Sequence, residues 1–131
     1  MRIVDYTSVK EGVPYVPDFL DNRKLPAEEQ LVVYIRPFSN ADAMKWQSQV
    51  KIIKAGRKGE METNSTEVEK RIFIRHVVKI ENFELVDPVT GAVEKCDSPG
   101  VMFEKAPKEL IEEILMAIQD RSVLDDGKKK D

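Results

Sequence analysis

The stretch His76–Leu124, HVVKIENFELVDPVTGAVEKCDSPGVMFEKAPKELIEEILMAIQDRSVL, decides the fold. It opens on an apolar segment ending at Glu81-Asn82 and then turns at Thr90-Gly91. The turn chemistry lies in Asp87-Pro88-Val89-Thr90-Gly91, where proline presets φ and glycine supplies a positive φ. The flanks, Phe83–Val86 and Ala92–Lys95, are placed to pair across it as a hairpin near 83–95. Ser98-Pro99-Gly100 reads as a second turn. An amphipathic helix over 107–120 follows. Pro107 suits a helix start because the N–H it lacks would be unpaired there. Glu109, Glu112 and Glu113 lie at the positive end of the helix dipole. Leu110, Ile114 and Ile118 form one apolar stripe, with Ile111 and Leu115 beside it.

Working back toward the N-terminus, the residues over 65–81 carry two patterns at once. Phe73, Val77 and Ile80 recur at helical spacing, while Ile72, Ile74, Val78 and Ile80 alternate as in a strand. Asn64 with Glu67 resembles a capping box, and that signal with the length favours a helix. A second helix is expected over 40–55. Ser39 and Asp42 form a capping-box pair, Ala43, Trp46, Val50 and Ile53 share a face, and Gly56 stands ready to end it. The β-branched and aromatic run over 31–36 reads as a strand closed by Pro37. Residues 1–29 contain Pro14, Pro17 and Pro26 and read as an extended arm. Its apolar anchors are Val13, Tyr15, Val16, Phe19, Leu20 and Leu25. The expected fold is therefore α+β and predominantly helical, with about three main helices and a small β component. It forms one domain over 1–124, and a charged, flexible tail over 125–131 follows.

Bulk properties narrow the function. The chain has 131 residues, 41% hydrophobic and 34% charged, with a net charge of −3. That size suits one domain with its own core. The near balance of charge provides no basic field for nucleic acid. Cys96 is the single cysteine, which rules out an intrachain disulfide and fits a reducing compartment. The longest apolar runs are too short to span a bilayer. No motif for catalysis, metal or cofactor stands out. Cys96 and His76 share no local motif, the Cys/His ligands are too few for zinc, and the pairs Glu28-Glu29, Glu112-Glu113 and Asp125-Asp126 read as solvated. Arg57 and Lys58 lie between two glycines without a P-loop spacing. We expect no enzyme activity, cofactor or metal.

Two parts of the chain together resemble the tail assembly chaperones of long-tailed bacteriophages. One is VPDFLDNRKLPAEEQLVVYIRP, with Asn22-Arg23-x-Leu25-Pro26 and then Glu28-Glu29-Gln30 entering a strand. The other pairs HVVKIENFELVDPVTGAVEK with PKELIEEILMAIQDRSVL. Ile80 stands where an aromatic is often found before Glu-Asn, and Asp87-Pro88-Val89 lengthens the turn. The resemblance implies a non-enzymatic role in the host cytoplasm. Such a protein binds the long, apolar tape measure protein before tail tube subunits polymerise; the tail tube protein and a second copy of the chain are further candidate partners. Trp46, Val50, Leu110, Ile114 and Ile118 are the candidate partner-facing residues. The family also implies a frameshifted longer form, for which the Gly127-Lys128 region can encode a slippery site. The alternatives are a head–tail connector, a tail completion protein or, further off, a nucleic-acid-binding regulator.

Overall fold

A computed structural model describes residues 1–55, 61–120 and 122–124. A three-stranded antiparallel sheet in the order β1-β2-β5 lies at its centre, from Val13–Tyr15, Val32–Ile35 and Val77–Glu81. Two smaller antiparallel pairs flank it: β3 with β4 (Ile52–Ala55, Met61–Thr63) and β6 with β7 (Glu84–Val86, Val93–Lys95). Four α-helices complete the fold: α1 (Asn40–Gln49), α2 (Ser65–His76), α3 (Pro99–Lys105) and α4 (Lys108–Gln119). Two short 3₁₀ segments, Tyr6–Ser8 and Phe19–Lys24, precede β2.

The structure corrects the expectation of a predominantly helical α+β chain with three main helices; the architecture is mixed. The helix over 40–55 stops at Gln49 and gives way to β3. Its end is held by Asn64, whose side chain accepts from the Lys51 N–H and donates to the Gln49 carbonyl. Asn64 therefore makes no side-chain cap on α2. The helix over 65–81 ends at His76, and Val77–Glu81 becomes β5. A β-branched pair, Val77-Val78, meets the open edge of β2 there, so tertiary pairing wins over helical periodicity. A bulge at this crossing pairs Ile35 with Val77 but Tyr34 with Lys79, leaving Val78 without a partner. That is why Val78 is exposed and the expected alternation fails in β5, while Ile74 is exposed because it lies on the outer face of α2. The turn at Ser98-Pro99-Gly100 is the start of α3, with Ser98 as its cap and Pro99 at its first position. Gly56 lies outside the described residues, as do Gly127-Lys128 and the tail over 125–131.

The core explains the layering. Val33 and Ile35 of β2 are fully buried with Phe73 of α2, Met102 of α3, and Ile114 and Ile118 of α4. Tyr34, between those two β2 residues, faces the other way under the Lys79 ammonium, 5.3 Å from its ring centroid. Phe73 and Phe103 pack as a tilted pair at 5.6 Å, fastening α3 to α2.

The N-terminal residues are tied down by polar contacts. Gly12 takes φ +83°, and a Cβ there would sit 3.1 Å from the β2 backbone, so only glycine fits before β1. Glu113 corrects the solvated reading of the Glu112-Glu113 pair. Half-buried on α4, it accepts from the Tyr15 hydroxyl (2.6 Å) and from the N–H groups of Asp18 (2.7 Å) and Phe19 (3.1 Å). Burial, and then this carboxylate, push the Tyr15 hydroxyl well above its ordinary pKa. The motif Asn22-Arg23-x-Leu25-Pro26 has a similar role. The buried Asn22 donates to the Pro17 and Leu31 carbonyls and accepts from the Leu31 N–H. Gln30 donates to Arg23 and Leu25, and Asn82, in the left-handed region at φ 62°, donates to Glu28 and Gln30. We expect Asn22→Ala to cost about 1–3 kcal/mol for each buried group it leaves unpaired. Urea unfolding checks this; an unchanged midpoint rules it out.

Candidate functional site

The site is built on α1. Ser39 and Asp42 close the capping box: the Ser39 hydroxyl accepts from the Asp42 N–H (3.1 Å) and the Asp42 carboxylate accepts from the Ser39 N–H (3.0 Å). Burial opposes the charge on Asp42, but the Ser39 hydrogen bonds outweigh it and hold its pKa below the usual value. The helix start is fastened to the end of α4 by Phe38, whose N–H donates to the Ile118 carbonyl (2.8 Å). Asn64 fastens the other end.

Between those ends α1 buries one side chain, Trp46. Its indole N–H donates to His76 Nε2 at 3.0 Å, and His76 Nδ1 lies 2.8 Å from the Arg36 carbonyl. The indole nitrogen only donates and a carbonyl only accepts, so the ring is neutral with its proton on Nδ1. The backbone completes a reciprocal pair, because the Arg36 N–H donates to the His76 carbonyl (2.7 Å). Phe38 packs on the same ring with centroids 4.9 Å apart. Lys45 covers the outer side of Trp46 at 4.9 Å from its centroid. Burial pulls the His76 pKa below 6.5, against the favourable pull of the Arg36 carbonyl and of Asp42.

Trp46 also forms the floor of a groove of about 310 Å³ between α1 and α2. Phe38, Val68 and Ile72 continue the floor; Gln47, Ser65, Glu69 and Gln119 supply a polar rim. A second cavity of about 310 Å³ lies where α1 begins, along Asp5–Thr7 and Pro37–Asn40. The two share Phe38, Ala43 and Gln119.

Of the sequence-derived partner candidates, Trp46 and Val50 come together at this groove, with Val50 43% exposed. Leu110, Ile114 and Ile118 are at most 2% exposed and lie in the core, where they present no surface to a partner. Val68, Ile72 and Phe38 escape the sequence reading, because their place beside Trp46 depends on how α1 packs on α2. Cys96 is a buried free thiol with Sγ 3.8 Å from the Ser98 carbonyl. Among the described residues no group of three or more His, Cys, Asp or Glu is arranged to hold a metal ion. No helix among them is long and apolar enough to cross a membrane. Comparison with known protein families, with curated proteins and with solved structures finds no match to the chain.

Two outcomes follow from the His76 geometry. Trp46→Phe leaves Nε2 buried without a donor and should cost about 1–3 kcal/mol in denaturant unfolding. Because the folded pKa of His76 lies below 6.5, the unfolded chain binds more protons just below that pH. This contribution to stability is fully present above about 6.5 and is lost as pH falls from there through the folded value. Urea titrations between neutral and mildly acidic pH should show it, and His76→Gln should flatten the slope.

Proposed function

We propose that this chain is a non-enzymatic tail assembly chaperone of a long-tailed bacteriophage, acting in the host cytoplasm. It holds apolar helical segments of the tape measure protein until tail tube subunits polymerise around them. One observation carries the reading: an apolar groove with a polar rim lies between α1 and α2, and Trp46 and Val50 line it. A helix recognised this way lays anchor side chains into a groove at helical spacing. The groove suits such anchors rather than a whole helix. Shielding a long apolar helix from aggregation until its partner arrives is mass action in favour of the bound state. The sequence resemblance supports the choice of partner, and the apolar lining of the groove supports an apolar helix as its occupant.

Val50 tests the reading because its exposure lets it change without disturbing the core. Val50→Asp places a carboxylate on the groove wall, where contact with an apolar partner strips its water. Co-purification of the co-expressed tape measure protein should fall, with about tenfold weaker binding for each 1.4 kcal/mol lost. Substitution at exposed Met44 should leave it unchanged. Purified phage particles should lack the chain. Its stoichiometric presence in particles would overturn the chaperone reading in favour of a virion component.

A further inference from the structure

Four observations converge on one buried ring. His76 is 5% exposed, and both its nitrogens are engaged, one as donor to Arg36 and one as acceptor from Trp46. Trp46 is the only side chain that α1 buries. The ends of α1 are held by separate ties, Phe38 to Ile118 at one and Asn64 at the other. The side of α1 that carries Trp46 is a wall of the groove.

We propose that His76 is a proton-operated latch on α1: the neutral ring holds Trp46 inward, and the protonated ring releases it and remodels the α1–α2 groove. A proton arriving on Nε2 points at the indole N–H, so two donors face each other and the hydrogen bond is lost. The Arg36 carbonyl keeps its bond to Nδ1 in either state, so only the side toward α1 opens. The helix stays tethered at both ends, so the change is a local displacement about Trp46. Three charged neighbours set where the latch works. Asp42, on α1 one turn before Trp46, favours the imidazolium, while Arg36, after β2, and Lys45, on α1, oppose it. That the latch regulates partner release rests on the groove being the docking site; the latch itself does not.

The chain has one histidine and one tryptophan, so both members can be followed without assignment ambiguity. The ¹⁵N resonances of the His76 ring and the Trp46 indole N–H cross-peak are recorded on the full chain as pH is lowered from neutral. Tryptophan emission and far-UV circular dichroism are recorded in parallel. The ring should titrate below pH 6.5. The indole cross-peak should shift and the emission move to the red with the same midpoint, while the far-UV signal holds. His76→Gln should abolish the emission change; should that variant not fold, the wild-type resonances decide alone. A ring that titrates while the indole signal stays still overturns the latch. So does loss of the far-UV signal at the same midpoint, or a ring that stays neutral until the chain unfolds. Tape measure co-purification at neutral and mildly acidic pH forms a separate arm, and its failure counts against the docking reading alone.

Discussion

The reciprocal pairing of His76 with Arg36 is the constraint on which the rest of the chain depends. It lies where α2 becomes β5, at the bulge in the β2–β5 ladder. The backbone bond between the two residues extends that ladder, and the ring bond to the Arg36 carbonyl locks the side chain in place. With the ring held, its other nitrogen becomes an oriented acceptor for the one buried side chain of α1. A sheet strand, a helix end and a separate helix thus meet at one imidazole. An apolar residue of similar size could fill the volume, but it would leave the indole N–H and the Arg36 carbonyl without this partner. Buried polar groups in that state cost more than the net worth of the bonds they lose.

A second set of polar ties holds the N-terminal third. Asn22, Gln30 and Asn82 bind backbone groups across residues 17–31, and Glu113 does the same for Asp18 and Phe19. Three of these four are amides, which bond the backbone without bringing a charge, and Asn22 both donates and accepts. Near the other end, Asp120 accepts from the Ser122 N–H and hydroxyl, and the buried Leu124 closes onto the core. The Asn22, Glu81-Asn82 and Ser122-x-Leu124 spacings therefore encode how distant segments are stapled together. The resemblance they carry speaks first to shape, and the groove beside Trp46 lies away from them.

Much of this is legible in the sequence where the determinant is local. The Ser39–Asp42 capping box, the strand at Val32–Ile35, the turn at Asp87–Gly91 and the stripe of α4 each depend on residues a few positions apart. The misreadings have long-range causes. Asn64 looks like a helix cap, yet its side chain serves the end of α1. Val77–Glu81 fits a helix until the edge of β2 is present to pair with it. Glu113 looks solvated on a charged helix start, and only the folded arm brings it three donors. Of the groove, Trp46 and Val50 are visible as a helical face, whereas Val68 and Ile72 belong to a different helix. His76 carries no signal in sequence, because a histidine gains its role from two partners, 30 and 40 residues away.

These two kinds of determinant divide the molecule mechanically. The sheet with α2, α3 and α4 is held by close-packed apolar side chains, whose contacts tolerate little displacement. α1 is attached by ties at its ends and, at its middle, by the buried Trp46, which joins the apolar core and donates to His76. Local opening free energies track buried apolar contact, and α1 buries one side chain where α4 buries six. The groove thus has one wall from α2, which buries four side chains, and one from α1, which buries one. The polar bond from Trp46 to His76 Nε2 adds a directional contact to that packing and fixes how the indole sits against the end of α2.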